Sequence, residues 1–312
     1  MINMHILVFG GCGFIGSHLV DKLVSLGHEV TVLDDFSNGR MSNLKEVKDK
    51  VTVVRGSITN KKTVEKVCRG VDLIYHEAAL NLLRSVQSPV RDLSVNAVGT
   101  LNILEEMKDN PNVVMVFAST GSIYGEPEYN PQDEKHPCHP TSPYGISKLA
   151  AEQYVGWYAG EYGLKAVSLR YYNVVGSRQE YSDMGGVVPL FLKRMLQDKP
   201  LVIEGDGTQT RCFTYVDDVV RANVLASKTK RYGEAFNIGT SEITSINELA
   251  DMICLMSNKP LKPVHVGPRV GDIHDFQPDI KKAEKLLGYK PEWKLADALP
   301  VIKEWMECEL RL

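Results

Sequence analysis

A chain of 312 residues is long enough for one large or two ordinary domains around a substantial core. Its 43% hydrophobic and 24% charged content is that of a globular protein, and a formal net charge of -3 speaks against the basic footprint that nucleic acid or an anionic membrane would need. Six scattered cysteines with no Cys-x-x-Cys pair, and no histidine cluster at ligand spacing, speak against structural zinc and for a reduced, cytoplasmic protein without a metal site.

In chain order, His5 to Phe9 reads as a buried strand, Gly10-Gly-Cys-Gly13-Phe-Ile-Gly16 as a tight turn, Ser17 to Leu26 as an amphipathic helix, and Glu29 to Leu33 as a second strand ending at Asp34 and Asp35. The N-terminus runs almost directly into a strand rather than a signal peptide, and no uncharged apolar run reaches membrane-spanning length, so no membrane association is expected. Glycines let backbone N–H groups approach a pyrophosphate, the helix N-terminus stabilises its charge, and an acid about 20 residues on bonds the ribose hydroxyls. Asp34 is the expected acid, and its charge would repel a 2'-phosphate, which favours NAD over NADP. The glycines fit two registers, Gly10/Gly13/Gly16 and Gly11/Gly13/Gly16.

Further strands are expected at Val51 to Val54, Asp72 to His76, Val113 to Ser119 and Ala166 to Tyr171, alternating with helices near Lys61 to Arg69, Val95 to Lys108 and Tyr144 to Tyr162. This alternation predicts an α/β fold, a Rossmann-like doubly wound parallel sheet over residues 1–175, with ligands above the carboxyl ends of its strands. Past Asn173 the pattern is interrupted by glycines and prolines, so residues 176–312 are expected to form a smaller mixed α/β substrate domain. The chain is expected to return to the first sheet at about 212–240, through a helix from Asp217 to Thr229 and a strand from Ala235 to Ile238. The cleft between the two parts is the expected substrate site.

The chemistry is expected at Ser142-Pro-Tyr144-Gly-Ile-Ser-Lys148. Ser142 and Pro143 suit the start of a helix, so Tyr144 and Lys148, four residues apart, should share a face. A nearby ammonium would lower the tyrosine pKa from about 10 toward a general acid/base range. With 13 tyrosines in the chain, such a pair arises about once by chance, and it gains meaning only from its surroundings. Phe117-Ala-Ser119-Thr120-Gly-Ser122 follows a buried strand with three hydroxyls, which as a turn would only satisfy its own backbone. Paired with Tyr144, Thr120 could bond a substrate hydroxyl while Tyr144 exchanges its proton and the adjacent carbon gives a hydride to NAD.

These motifs, together with His76-Glu-Ala-Ala79, Asn96, Arg170-Tyr-Tyr-Asn173-Val-Val-Gly176, Gly205-Asp-Gly207, Arg211, Tyr215-Val-Asp-Asp218, Asn237-Ile-Gly239 and Arg269-x-Gly-Asp272, resemble the extended short-chain dehydrogenase/reductases along nearly the whole chain. Within them the chain is most similar to the nucleotide-sugar 4-epimerases typified by UDP-glucose 4-epimerase. The resemblance implies tightly held NAD, a UDP-sugar substrate, a homodimer built on the helices near Val95 to Lys108 and Tyr144 to Tyr162, and catalysis by Thr120, Tyr144 and Lys148. It implies a cofactor site of Gly10, Gly13, Phe14, Ile15, Gly16, Asp34, Asn38, Ser57, Ile58, Ala78, Ala79, Asn96, Ser119, Tyr144, Lys148 and Tyr171. On the substrate side it implies Thr120, Tyr144, Asn173, Val188, Arg211, Arg269, Asp272 and Phe276. Trp157 and Tyr158 are available for the dimer face.

Related 4,6-dehydratases carry an Asp-Glu pair after the active-site threonine, where this chain has Gly121 and Ser122. Related decarboxylases carry a glutamate where it has Ile123. Both differences favour epimerisation. A bulky Phe276 favours UDP-glucose and UDP-galactose over their N-acetyl forms. Ser57 in place of an aspartate, Cys212 in place of an acid after Arg211, and the shortened loop Leu80-Asn-Leu-Leu-Arg84 depart from the family pattern. UDP-N-acetylglucosamine or UDP-glucuronate 4-epimerisation, another nucleotide-sugar oxidoreductase or dehydratase reaction, and a non-catalytic NAD-binding role remain open on sequence alone.

Overall fold

The computed structural model describes residues 3–182, 184–268 and 273–311. Six strands, β1 (His5–Phe9), β2 (Glu29–Asp34), β3 (Val51–Arg55), β4 (Leu73–His76), β5 (Val114–Thr120) and β6 (Lys165–Tyr171), join a seventh, Ala235–Ile238, in one sheet. In space the order is Ala235–Ile238, β6, β5, β4, β1, β2, β3, with every pair parallel. Successive side chains on a strand face opposite ways, and both faces here are covered. Ile6 and Val8 enter one hydrophobic cluster with Val30, Val32 and Val167, while Leu7 and Phe9 enter the other with Ile74, Met115 and Phe117. Each such side chain, removed from water, contributes about 1.5–3 kcal/mol, which explains the near-continuous apolar runs.

The chain order reverses between β1 and β4, and the crevice at that switch point opens above their carboxyl ends. Helix α1 (Phe14–Ser25) begins three residues earlier than the apolar pattern suggests, because Gly13 supplies the extended residue at its start. Helix α2 (Lys61–Cys68) starts with Asn60 accepting from the Thr63 amide. Two short helices, α3 (Leu82–Gln87) and α4 (Pro89–Leu93), and a π-type turn at 94–98 precede α5 (Gly99–Lys108). In α6 (Pro143–Tyr162), Ser142 Oγ accepts from the Gly145 amide, Pro143 opens the first turn, and Gly163 ends the helix with φ of 66°.

Beyond β6 the strands outside the large sheet shorten to two or three residues. Val174–Val175 pairs with Thr214–Tyr215, Val202–Glu204 pairs with Val264–Val266, and Thr210–Arg211 lies between Thr244–Ser245 and Asp275–Phe276. Helices α7 (Val187–Leu196), α8 (Val216–Ala226) and α9 (Ile246–Leu255) support them, and α8 packs on α1. Tyr158 is buried and donates to Glu105, whereas Trp157 stays 52% exposed with its ring edge-on to those of Tyr158 and Tyr162. Among the described residues no helix is long and apolar enough to cross a membrane.

Candidate active site

The loop from Gly10 to Gly16 is shaped by close approach. Gly10 has φ of 77°, and a Cβ there would stand 2.7 Å from the Ala78 amide nitrogen; a Cβ on Gly16 would stand 2.2 Å from the Gly10 carbonyl oxygen. Only glycine fits either place without displacing backbone. Gly10, Gly13 and Gly16 line a cavity of about 240 Å³, while Gly11 faces the Val32 side chain, so the first register is the one presented to a ligand.

The other walls of this cavity include Phe14, Ile15, Asp34, Asn38, Ser57, Ile58, Ala78 and Ala79. Asp34 accepts from the Cys12 and Phe36 amides at 2.9 and 2.8 Å; these bonds oppose the rise in its pKa that burial causes. A glycine cradle at a helix N-terminus, with a fixed carboxylate 18 residues beyond Gly16, fits a dinucleotide: the amides would meet the diphosphate and Asp34 the adenosine ribose. Asn96 and Ser119 do other work. Asn96 is fully buried, accepts from the Leu80 amide, and donates to Asp92 and Ser147. Ser119 Oγ donates to Glu152, which is paired with Arg170 in the interior. Both brace the site from behind its walls.

At the next two strand ends the register sets Thr120 beside Tyr171. Tyr144 rises toward them from the first turn of α6, its amide held by Ser85 Oγ at 3.1 Å and its hydroxyl near enough to Thr120 for that side chain to favour the phenolate. Lys148, one turn on, is 1% exposed, with Nζ 4.2 Å from the centre of the Phe117 ring. The electrostatics correct one expectation. Burial pushes Tyr144 up to about 12 despite Thr120, and Asp92 and Glu77 push the same way. Burial also pushes Lys148 down to about 8, against the pull of Glu77, Glu152 and Asp92. The two groups share a face of α6 as expected, but the dry floor of the site outweighs any help that Lys148 gives the phenol.

A second, larger cleft of about 610 Å³ shares Phe14, Asn38 and Asn81 with the first, so the two are continuous. Asn173 and Arg211 line it. The Asn173 Nδ2 is buried without a partner among the described residues, and Arg211 donates to the carbonyls of Thr210 and His274. The Val188 side chain does not reach the cleft: it is 1% exposed in the core, and its neighbour Val187 lines the wall instead, because successive residues of a helix are turned about 100° from one another. Phe276 pairs in register with Arg211 but is 7% exposed and stacked on Tyr172 at 4.6 Å. Arg269 and Asp272 lie outside the described residues.

Several wall residues were not among the expected site residues, although Glu77 lies in a motif and Leu80 and Asn81 in a loop singled out in the sequence. Glu77, Leu80 and Asn81 border the cofactor cavity, and Gln179, Glu180 and Met184 border the larger cleft. For Glu77 a signal was present, an acid at the exit of a fully buried strand.

With this geometry in hand, residues 6–239 match the model of the NAD dependent epimerase/dehydratase family. The chain belongs to that family. NAD is its cofactor. A Methanocaldococcus jannaschii protein provisionally named UDP-glucose 4-epimerase is 42% identical over 305 residues, 97% of this chain and 98% of that protein. The Thermotoga maritima UDP-glucose 4-epimerase, solved with UDP-glucose, superposes with a TM-score of 0.94 at 39% identity over 98% of this chain and all of that one. The Bacillus cereus UDP-glucuronic acid 4-epimerase, solved with UDP-glucuronic acid and NAD, superposes at 0.91 with 33% identity, over 98% of this chain and all of that one.

Proposed function

We propose that this member of the family is a UDP-sugar 4-epimerase that interconverts UDP-glucose and UDP-galactose. The observation that carries the choice of epimerisation is the space behind Thr120. A Cβ on Gly121 would stand 2.7 Å from both the Phe276 and Tyr172 rings, so no acidic side chain can enter there to assist loss of water. Ile123 is fully buried with Tyr124 and leaves no carboxylate at the decarboxylase position. The choice of a neutral sugar rests on the cleft wall, where Arg84 is already paired with Glu180 at 2.9 Å and the wall presents an acid. Phe276, fixed against Tyr172, is the bulk that disfavours an N-acetyl group.

NAD, when bound, supplies the acceptor and later the donor of the hydride at the sugar's C4. Tyr144 takes the proton of the 4-hydroxyl and returns it after the 4-keto sugar has presented its other face, while Thr120 holds the oxygen on which that proton travels. To take that proton Tyr144 must enter the step as the phenolate and leave it as the phenol; burial, which pushes it up to about 12, disfavours the phenolate, so the ammonium of Lys148 is needed to offset its charge before the transfer. Arg211 and Asn173, both on the wall of the larger cleft, are the residues assigned to hold the nucleotide diphosphate.

The test is incubation of the purified protein, without added NAD, with UDP-galactose, UDP-N-acetylgalactosamine and UDP-galacturonate separately, and product identification by NMR. UDP-glucose should form from the first, with the N-acetyl sugar about tenfold slower or worse. No 4-epimer from any of the three overturns epimerisation; equal turnover of the first two overturns the role of Phe276.

A further inference from the structure

Asp92 is an acid that the reaction as described leaves idle. It lies in α4, and exposure there is the reverse of what a surface helix shows: Val90 and Leu93 are exposed, whereas Asp92 is 1% exposed. A carboxylate buried without a partner is costly, so the partner is informative. Here it is Asn96, whose Nδ2 donates to Asp92 Oδ1 at 2.7 Å. Asn96 stands in the π-type turn, where the Gly99 amide reaches back to the Ser94 carbonyl and Thr100 Oγ1 donates to the Asn96 carbonyl at 2.7 Å. Thr100 spends its proton there and therefore accepts from His76 Nε2 at 2.9 Å, which ties the turn to the end of β4. A widened turn of this kind is a common device at functional sites.

The Asn96 amide can stand only one way round. The Leu80 N–H, at 2.8 Å, needs an acceptor and the Asp92 carboxylate needs a donor, so Oδ1 faces the first and Nδ2 the second. The other Nδ2 proton then goes to Ser147 Oγ at 3.0 Å, with the Leu80 carbonyl more distant at 3.4 Å. Ser147 Oγ, having accepted, donates to the Tyr144 carbonyl at 3.1 Å. Because Ser85 Oγ already holds the Tyr144 amide, that residue is fixed at both its N–H and its C=O. Leu80, at the other end of the same amide, borders the cofactor cavity.

We propose that Asp92 is a positioning residue for both halves of the chemistry: its carboxylate orients the Asn96 amide, which holds the Leu80 wall of the cofactor cavity on one side and, through Ser147, the Tyr144 turn of α6 on the other. The bonds run from α4 through the π-type turn to the segment after β4 and to α6, elements that no local pattern brings together. The consequence for turnover rests on the epimerase reading; the hold on Leu80 does not.

The experiment combines amide hydrogen exchange at Leu80, melting, and steady-state kinetics with UDP-galactose, all on the NAD-bound protein. Asp92→Leu, which fills the space but accepts nothing, should speed exchange at Leu80 about tenfold or more and lower kcat about tenfold with KM little changed. Asp92→Asn, which keeps a neutral acceptor, should recover part of both. Ser147→Ala should lower kcat while Leu80 stays protected. The double variant Asp92→Asn with Asn96→Asp is decisive: position 96 still accepts from Leu80 and still bonds position 92, but it now also accepts from Ser147, whose proton leaves the Tyr144 carbonyl. Leu80 protection and the melting curve should return, and kcat should not. Return of kcat along with them overturns the proposal, since any bonded pair would then serve. So does unchanged Leu80 exchange in Asp92→Leu, or wild-type kcat in Ser147→Ala. If the wild type forms no 4-epimer while Asp92→Leu still frees Leu80, the epimerase reading is overturned and the hold on the cofactor wall stands.

Discussion

The two halves of the site hold their ligands by different means. Around Gly10–Gly16 the wall is mostly backbone, set by parallel strands whose register is locked over four or more residues. In the larger cleft it includes side chains such as Asn173, between two strands, and Arg211, on a strand of two residues placed by its pairing with Asp275–Phe276. A backbone site is inseparable from the fold. A side-chain site can be altered while the fold stands. Changes in the first half should therefore strike stability and NAD retention together, whereas changes in the second should strike the sugar alone.

The largest effect should come where the halves meet. Tyr144→Phe removes the hydroxyl that stands by Thr120 without disturbing the Ser142 cap or the Ser85 contact, both of which use backbone amides. Turnover of the nucleotide sugar should fall by roughly a hundred- to ten-thousand-fold, while bound NAD and the melting curve stay near wild type. Near-normal turnover would mean that another group moves the proton.

Next in size is Gly16→Ala. Its Cβ would lie 2.2 Å from the Gly10 oxygen, so either the loop or α1 must move. The cost should be about 1–3 kcal/mol in denaturant unfolding, accompanied by loss of NAD from the purified protein. Loss of stability with NAD fully retained would break the link between cradle and fold that the comparison asserts.

The same contrast explains what was readable in the amino-acid sequence. The strand–glycine–helix unit and the Ser142-Pro143 start of α6 are local, and each residue there answers to its immediate neighbours. Hence the cofactor wall from Gly10 to Asp34 could be named one residue at a time. The pairing of Arg211 with Phe276 spans 65 positions, and the inward turn of Val188 depends on where α7 lands, so neither is written locally. The effect of Lys148 on Tyr144 was misjudged for a similar reason. Charge proximity is legible in a spacing of four, but the burial that outweighs it is created by the elements packed on α6, among them α4, β5 and β6. Asn96 and Ser119 lie at cofactor-binding positions of the family pattern, yet their side chains are spent on bracing.

The smallest predicted effect concerns the bridge between the halves. Arg84 stands in α3, not in the loop expected at Leu80–Arg84, because Asn81 caps a helix there; it donates to the Ser37 carbonyl at 3.1 Å beside the cofactor cavity and pairs with Glu180 on the wall of the larger cleft at 2.9 Å. Asn81 and Ser182 also donate to Glu180, so the contact is a small network across the mouth rather than a lone ion pair. Both charged side chains are still partly open to water, so Arg84→Ala should cost no more than about 1 kcal/mol of stability. Its effect should instead appear as a several-fold faster release of NAD, measured by exchange against labelled cofactor, with Glu180→Gln acting similarly and the double variant adding little. High salt should bring the wild type toward the variants, because the pair is within reach of screening ions. If release is unchanged in both single variants, the two halves retain their ligands independently, and cofactor retention belongs to the backbone cradle alone.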